Sequence, residues 1–431
     1  MDPITPRRTF LKSIAATAAA SSFLNLNPRA LGANDRINLA LIGGRNQGKH
    51  VALRMIGQGA RIATFCDIDQ AILDKTSPEL EKAQGVRPKH ERDFRRILDD
   101  KSIDAVVIAA PDHWHTHMSL LACAAGKDCY TEKPLSQTIH EGHLIRDAAR
   151  KHNRIVQVGT QRRSFDHFMS AAEYAASGKL GKICHMKAWI SQLRESIGTP
   201  PDSDPPSTAD YDLWLGPAPK RPFNVNRFHY NWRFFWDYGN SELGNQGVHV
   251  LDVALMALAK MKGPTQCLPR RVSATGGIYW LKDAKEVPDI QTVNFDYGDM
   301  LLTFELQSFS KSRPTEGAWA GTAFYGSEGT LVAVGDGWKV FGADGKVVTQ
   351  VKDTGGSHEG NFLASMRSRQ LPNADVEIGR LSTTLCHLGN ISYHLRRDVT
   401  FDPATESFPH DEQATKMLTK SYRDAWPMPR V

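Results

Sequence analysis

The sequence predicts an α/β chain in two parts. A doubly wound parallel sheet occupies residues 34–158, and an α+β domain with an open, mainly antiparallel sheet occupies 159–395. Three observations carry this prediction. An apolar run at 36–42 enters a glycine turn and is followed by helical spacing. Apolar strands then alternate with helices as far as Val158, the pattern of parallel βαβ units. After Gly159 the period changes, and between Arg271 and Val351 strand follows strand with glycine turns between them. At 431 residues the chain is long for one domain, and two is the natural count.

In chain order, 36–42 is the first strand, and Gly43-Gly44-Arg45-Asn46-Gln47-Gly48 is the turn that follows it. Residues 50–56 have helical spacing. Residues 60–66 form a strand ending at Asp67, and 94–98 a short helix. Residues 104–110 are apolar in the manner of a strand buried on both faces. The run Pro111-Asp112-His113-Trp114-His115 is a loop, and 117–125 is a helix stopped by Gly126. Strands at 128–131 and 155–158 flank a helix at 139–151. This is the dinucleotide-binding, or Rossmann, arrangement. Beyond it, 168–177 is helical, 183–193 alternates as a strand, 198–206 is a loop and 214–244 is rich in aromatic residues. An apolar helix at 248–258 precedes strands at 292–297, 300–307, 321–325, 330–334 and 347–351. Helices at 362–369 and 380–395 follow, and 396–431 is a tail packed on the body.

Composition excludes several classes. No body window holds 18 apolar residues, so no spanning helix and no stable membrane insertion are expected. Arg7, Arg8, Lys12 and Arg29 against Asp2 place half of the net charge of +6 within residues 1–33. What remains is too weak and scattered to argue for nucleic acid. The six cysteines form no Cys-x-x-Cys pair and no disulfide framework. His113, His115 and His117 alternate without converging on a helix face, so no metal site is expected.

Residues 1–33 read as a processing segment. Arg7-Arg8-Thr9-Phe10-Leu11-Lys12 precedes a weakly apolar run, and the pattern resembles a twin-arginine export signal with cleavage at 30–33. The expectation is a periplasmic or secreted protein that uses the twin-arginine export machinery. Such export moves folded proteins, so a cofactor would be inserted before transit and held tightly.

A glycine turn opening a helix is an anion site, because free N–H groups and the helix dipole face the ligand. Gly43 and Gly48 fit the outer positions of Gly-x-Gly-x-x-Gly. Arg45 stands where the middle glycine belongs, beside Gly44 and Asn46. It either crowds the phosphates or, in a shifted turn, points outward and pairs with one. Asp67, at the end of the second strand, suits the ribose hydroxyls and repels a 2′-phosphate, which favours NAD over NADP. Hydride transfer from a carbinol also needs a base for the hydroxyl proton. Lys133 suits that task, with Glu132 expected to orient it.

Asp128-Cys-Tyr-Thr-Glu132-Lys133-Pro134, set about 90 residues after the glycine turn, resembles the glucose-fructose oxidoreductase / inositol dehydrogenase / MocA family. The resemblance spans roughly residues 36–425. It implies a sugar or polyol oxidoreductase and a Lys133–Pro134 bond that is cis. It also implies that Pro111 and His115 pass the nicotinamide half of the cofactor, with Asp112 in place of the usual asparagine. The segment from Gly239 to His249 resembles the family's glycine-rich stretch, with His249 and Asp252 matching and Asn245 replacing an aspartate. His249 is then a general acid or base, less prone to protonation without that aspartate, and Asn245 shares its helix face. Gln161 and Arg163 resemble residues facing the active site. His229, Asn231, Trp232, Arg233 and Trp236 are candidates for sugar contact, of which about two are expected to touch substrate.

The leading functional expectation is an NAD-dependent oxidoreductase acting on a sugar, polyol or glycoside, assembled as a homo-oligomer. The alternatives are a redox-assisted glycosidase or lyase, which oxidises, eliminates and re-reduces, and a non-catalytic sugar-binding protein.

Overall fold

The computed structural model describes residues 36–310 and 317–431. The segment expected to be an export signal lies outside the described residues. The first domain is built from β1 (Asn38–Ile42), α1 (Asn46–Gly57), β2 (Arg61–Cys66), α2 (Gln70–Gln84), β3 (Lys89–Glu91), α3 (Phe94–Asp99), β4 (Ala105–Ile108), α4 (Asp112–Ala124), β5 (Asp128–Thr131), α5 (Ile139–Lys151) and β6 (Val156–Val158). Its six strands are parallel in the order β3-β2-β1-β4-β5-β6. The order reverses between β1 and β4, and the crevice outside that point is where such sheets take ligands. All four residues of β4 are fully buried, as is Leu41 of β1. Each such Val, Ile or Leu contributes roughly 1.5–3 kcal/mol of burial.

Sequence periodicity did not locate α2 or β3. Pro78 sits inside α2, where a helix ordinarily loses a hydrogen bond. β3 is the three-residue edge strand Lys-His-Glu, with no apolar residue to mark it. The loop expected over 111–115 is corrected: Pro111 caps α4, and Asp112 to His115 form its first turn.

The second domain adds α6 (Asp166–Ala176), β7 (Ile183–Ser191), α7 (Tyr211–Leu215), α8 (Val248–Lys262), β8 (Arg271–Gly277), β9 (Ile290–Asp296), β10 (Leu301–Gln307), β11 (Ala320–Gly326), β12 (Thr330–Val334), β13 (Gly337–Phe341), β14 (Val347–Lys352), α9 (His358–Ser368), α10 (Val376–Leu395), β15 (Val399–Thr400) and α11 (Glu412–Lys416). Nine strands run in the order β14-β13-β12-β11-β7-β10-β9-β8-β15. All neighbours are antiparallel except β7 and β10. The main core lies between this sheet and α6, α8 and α10. α8 is apolar on nearly every face, as a helix enclosed on all sides must be. The tail returns to the first domain, where Trp426 packs edge-on against Trp114 at 4.8 Å between ring centroids.

Candidate active site

The turn after β1 needs glycine at two places for two reasons. Gly43 has φ +89°, and a Cβ on Gly48 would lie 2.0 Å from the carbonyl oxygen of Gly43. α1 then begins at Asn46 with no side-chain cap, after Arg45 in an extended conformation. The Gly48 N–H is taken by Arg45 O (2.9 Å), and no side chain caps the turn against an anion. Arg45 is exposed and stands in the cleft wall rather than folding into the turn. Asp67 is nine-tenths buried in the same wall. Its Oδ2 accepts from the Gly44 N–H (2.9 Å) and its Oδ1 from the Asp69 N–H (3.1 Å). Burial pushes its pKa up to about 6 against those two hydrogen bonds. Ala109, Ala110 and Pro111 form the floor of the cleft beyond β4. A glycine turn, an uncapped helix start and a fixed carboxylate together fit a dinucleotide.

The opposite wall comes from the second domain. Between β7 and α8 the chain crosses back over the cleft. The Gln70 N–H donates to Thr208 O and the Asp210 N–H to Ile68 O, both at 3.0 Å. His229 Nε2 pairs with Asp69 at 2.8 Å. Leu213, Trp214, His229 and Trp232 line the cleft facing Asp67. His229 and Trp232, expected at the sugar, thus stand in the wall of the cofactor cleft. Most rings of the aromatic segment, among them Trp214, Phe223, Phe228, Phe234, Phe235 and Tyr238, form a small core of their own. Trp236 donates to Glu286 O and packs against His394. Asn231 opens a 3₁₀ turn ending at Phe234.

The candidate reaction centre lies past the ends of β5 and β6. The Lys133–Pro134 bond is cis. Lys133 is partly exposed, and its Nζ donates to Asn245 O (3.0 Å) and Asn245 Oδ1 (3.2 Å). Burial lowers its pKa, opposed by Glu132 and reinforced by Arg233. Glu132 does not orient this amine, which corrects the expectation. Its Oε1 accepts from Gln47 (3.0 Å) and Gln161 (3.1 Å), and its Oε2 from the Lys133 backbone N–H (3.3 Å). Glu132 therefore couples the first turn of α1 to the turn after β6.

Asn245 sits in a π turn, Leu243–Gly247, that leads into α8. Such widened turns recur at functional sites. The Asn245 Nδ2 donates to Glu242 (3.1 Å), and Glu242 is paired with Arg194 (2.8 Å). This chain of contacts fixes the amide with its oxygen toward Lys133. It also explains the departure from aspartate, since a carboxylate at 245 would stand one hydrogen-bond length from that of Glu242. His249 is half-buried and makes no hydrogen bond among the described residues. Burial first, then the charges of Lys133 and Arg162, hold its pKa well below the ordinary imidazole range. It is a neutral base at pH 7.

Other candidates have different work. Gln161 also donates to Tyr130 Oη (3.1 Å). Arg163 is bound to the buried Asp252 at 2.9 Å, which also accepts from Ser382. His115 is not in the cleft wall: its two ring nitrogens meet Pro134 O (2.7 Å) and Ala110 O (2.9 Å). Burial pushes its pKa down to about 4, so the neutral ring donates to one carbonyl only. Its neighbours act similarly, with His113 on Trp214 O (2.9 Å) and His117 on Trp426 O (3.1 Å). Asp112, fully enclosed, accepts from Asn240 (3.0 Å), and burial raises its pKa to about 7. Sequence reading missed Glu242, Arg194 and Arg162. Glu242 lay within the glycine-rich segment already singled out and Arg162 between the singled-out Gln161 and Arg163; Arg194 carries no local signal.

Two family models match the chain. The Gfo/Idh/MocA oxidoreductase model described as an NAD-binding Rossmann fold covers residues 14–160, and the C-terminal alpha/beta domain model covers 188–299 and 340–428. Among curated proteins, the levoglucosan dehydrogenase of Pseudarthrobacter phenanthrenivorans is 26% identical over 254 residues, 56% of this chain and 57% of that protein. A glycosyl hydrolase family 109 protein of Shewanella is 24% identical over 213 residues, 44% of this chain and 46% of that protein. The matches thus span about half the length of these relatives. Among solved structures, levoglucosan dehydrogenase with NADH and L-sorbose superposes with a TM-score of 0.65 at 18% identity, over 85% of this chain and 98% of the other. The WlbA dehydrogenase of Bordetella pertussis with NADH and UDP-GlcNAcA gives 0.62 at 18% identity, over 85% and 99%.

Proposed function

This chain belongs to the Gfo/Idh/MocA oxidoreductase family, and from that premise we propose that it moves hydride between a hydroxyl-bearing carbon of a carbohydrate and a tightly held NAD, outside the cytoplasm. The observation that carries the reading is Lys133, partly exposed and aimed by Asn245, beside a neutral His249. When bound, NAD supplies the hydride acceptor and donor. Residues 43–48 and Asp67 would hold it, and the crossing chain with His229 supports slow release. Lys133 takes the hydroxyl proton as the carbon is oxidised and returns it on reduction. Its pKa, lowered by burial, raises the share of free amine at neutral pH.

One observation favours a second reading. Hydride transfer needs one base, and this centre presents two. A redox-assisted glycosidase uses a second base to remove the C–H proton that oxidation has made acidic. His249, neutral and without a hydrogen bond among the described residues, suits that step. The family 109 relatives support keeping it.

The test is to purify the protein and identify any released nucleotide by mass. Sugars and aryl glycosides are then screened for net NADH and for aglycone release. Net NADH supports the dehydrogenase, and aglycone without net NADH supports the glycosidase. Neither product from any carbohydrate sinks both.

A further inference from the structure

Every carboxylate at the reaction centre has a partner. Glu132 accepts from Gln47 and Gln161, Asp112 from Asn240, Glu242 pairs with Arg194, and Asp252 with Arg163. Two guanidiniums are left over. The half-buried Arg162 has no side-chain hydrogen bond or ion pair among the described residues, and its Nη1 is sealed from solvent. It rests on the Phe168 ring at 5.0 Å. Arg233 likewise has no side-chain hydrogen bond or ion pair there, and its Nε is sealed. It lies between the rings of Tyr230 (4.1 Å) and Trp232 (5.2 Å). The charge of Arg162 acts on His249 and that of Arg233 on Lys133, so each stands within electrostatic reach of one reacting group.

A guanidinium N–H sealed from solvent without an acceptor is costly; Asp252 acts on Arg162, and Glu242 and Asp112 on Arg233, through charge alone, without accepting that bond. Aromatic faces offset only part of that cost. A planar fork of N–H groups matches a carboxylate. We propose that the substrate is an anionic sugar, a uronate or related sugar acid, whose carboxylate pairs with Arg162 or Arg233 while its hydroxyl meets Lys133. The inference rests on the hydride-transfer reading for the reacting end of the substrate only. The carboxylate itself is unchanged in the reaction: the carbinol loses its hydride to NAD and its proton to Lys133.

The experiment compares sugar acids with their carboxamides, which keep the shape and lose the charge. With NAD-loaded protein, kcat/KM is read from NADH absorbance, and affinity by calorimetry on Lys133→Met, where no turnover is required. The acid is expected to exceed the amide by about ten- to a hundredfold. That ratio should collapse toward one in Arg162→Gln or Arg233→Gln. NAD affinity is measured in both variants, because a pyrophosphate offers the same anionic oxygens. Acid and amide handled alike, or neither bound, overturns the proposal. So does a retained ratio with lost NAD affinity in both variants, which assigns the guanidiniums to the cofactor. Preferential acid binding with no NADH from any sugar would remove the hydride-transfer reading and leave the anionic ligand standing.

Discussion

At the scale of single residues, reactivity depends on who holds whom. Lys133 is aimed by a neutral amide, and Lys133→Ala should lower turnover by about 10²–10⁴ while NAD still binds. Retention of more than half the activity in that variant would make the lysine structural. Glu242 acts on Lys133 through Asn245, and its charge also raises the lysine pKa. Glu242→Gln should therefore lower kcat and move the rising limb of the oxidation pH profile to lower pH. A purely structural role would lower kcat without moving the limb. Asp67 titrates at about 6, and ribose hydroxyls donate best to its ionised form. NAD affinity should weaken as pH falls through about 6 in the wild type and be flat there in Asp67→Asn, which should also discriminate less against NADP. Titration of NAD binding against pH checks both. Lys133 and Asp67 were legible in the sequence because each sits at the end of a strand with a recognisable turn. Glu242 was not read as a partner, since its link to Arg194 spans 48 residues.

At the scale of elements, the tail is tied to α10 by a buried cluster. Arg380, itself 2% exposed, holds Glu377 and Glu406, and His143 joins Glu406 at 3.3 Å. Burial opposes ionisation of Glu406, yet the His143 and Arg380 bonds bring its pKa down to about 2 from 4.5. A depressed carboxylate pKa stabilises the fold above the unfolded value and loses that contribution as pH falls through the folded one. Glu406→Gln should thus cost at most about 3 kcal/mol above pH 4.5, with the difference from wild type shrinking toward pH 2. Denaturant titrations at several pH values measure this, and a difference independent of pH would exclude the linkage. The same scale explains which elements were hard to read. α2 carries an internal proline and β3 has no apolar residue, so neither showed its period.

At the scale of the molecule, the two domains share the cofactor cleft: the first supplies the glycine turn and Asp67, the second the covering chain. A cleft closed from both domains suits a protein that carries its cofactor through export. In Arg7→Lys with Arg8→Lys, charge is kept and the paired arginines are lost. The variant protein should stay in the cytoplasm, folded and loaded with NAD, as fractionation and nucleotide mass would show. Normal periplasmic recovery would remove the export proposal and weaken the inference that cofactor is inserted before transit.

The sequence by itself determined the parallel sheet, the second domain's change of period and the glycine turn, and it marked Lys133 and His249 as candidate reacting groups. The elements follow from local rules, strand and helix periods and turn chemistry, and the two candidate groups from resemblance to the family's segments. Only the tertiary structure decided the partners. Lys133 meets Asn245 across 112 residues rather than its neighbour Glu132. Arg163 is taken by Asp252, while the sealed Nη1 of the adjacent Arg162 has no acceptor among the described residues. His115 meets Pro134 O and Ala110 O rather than lining the cleft. Which side chain of a pair faces a buried charge depends on where distant segments pack, and no local period encodes that.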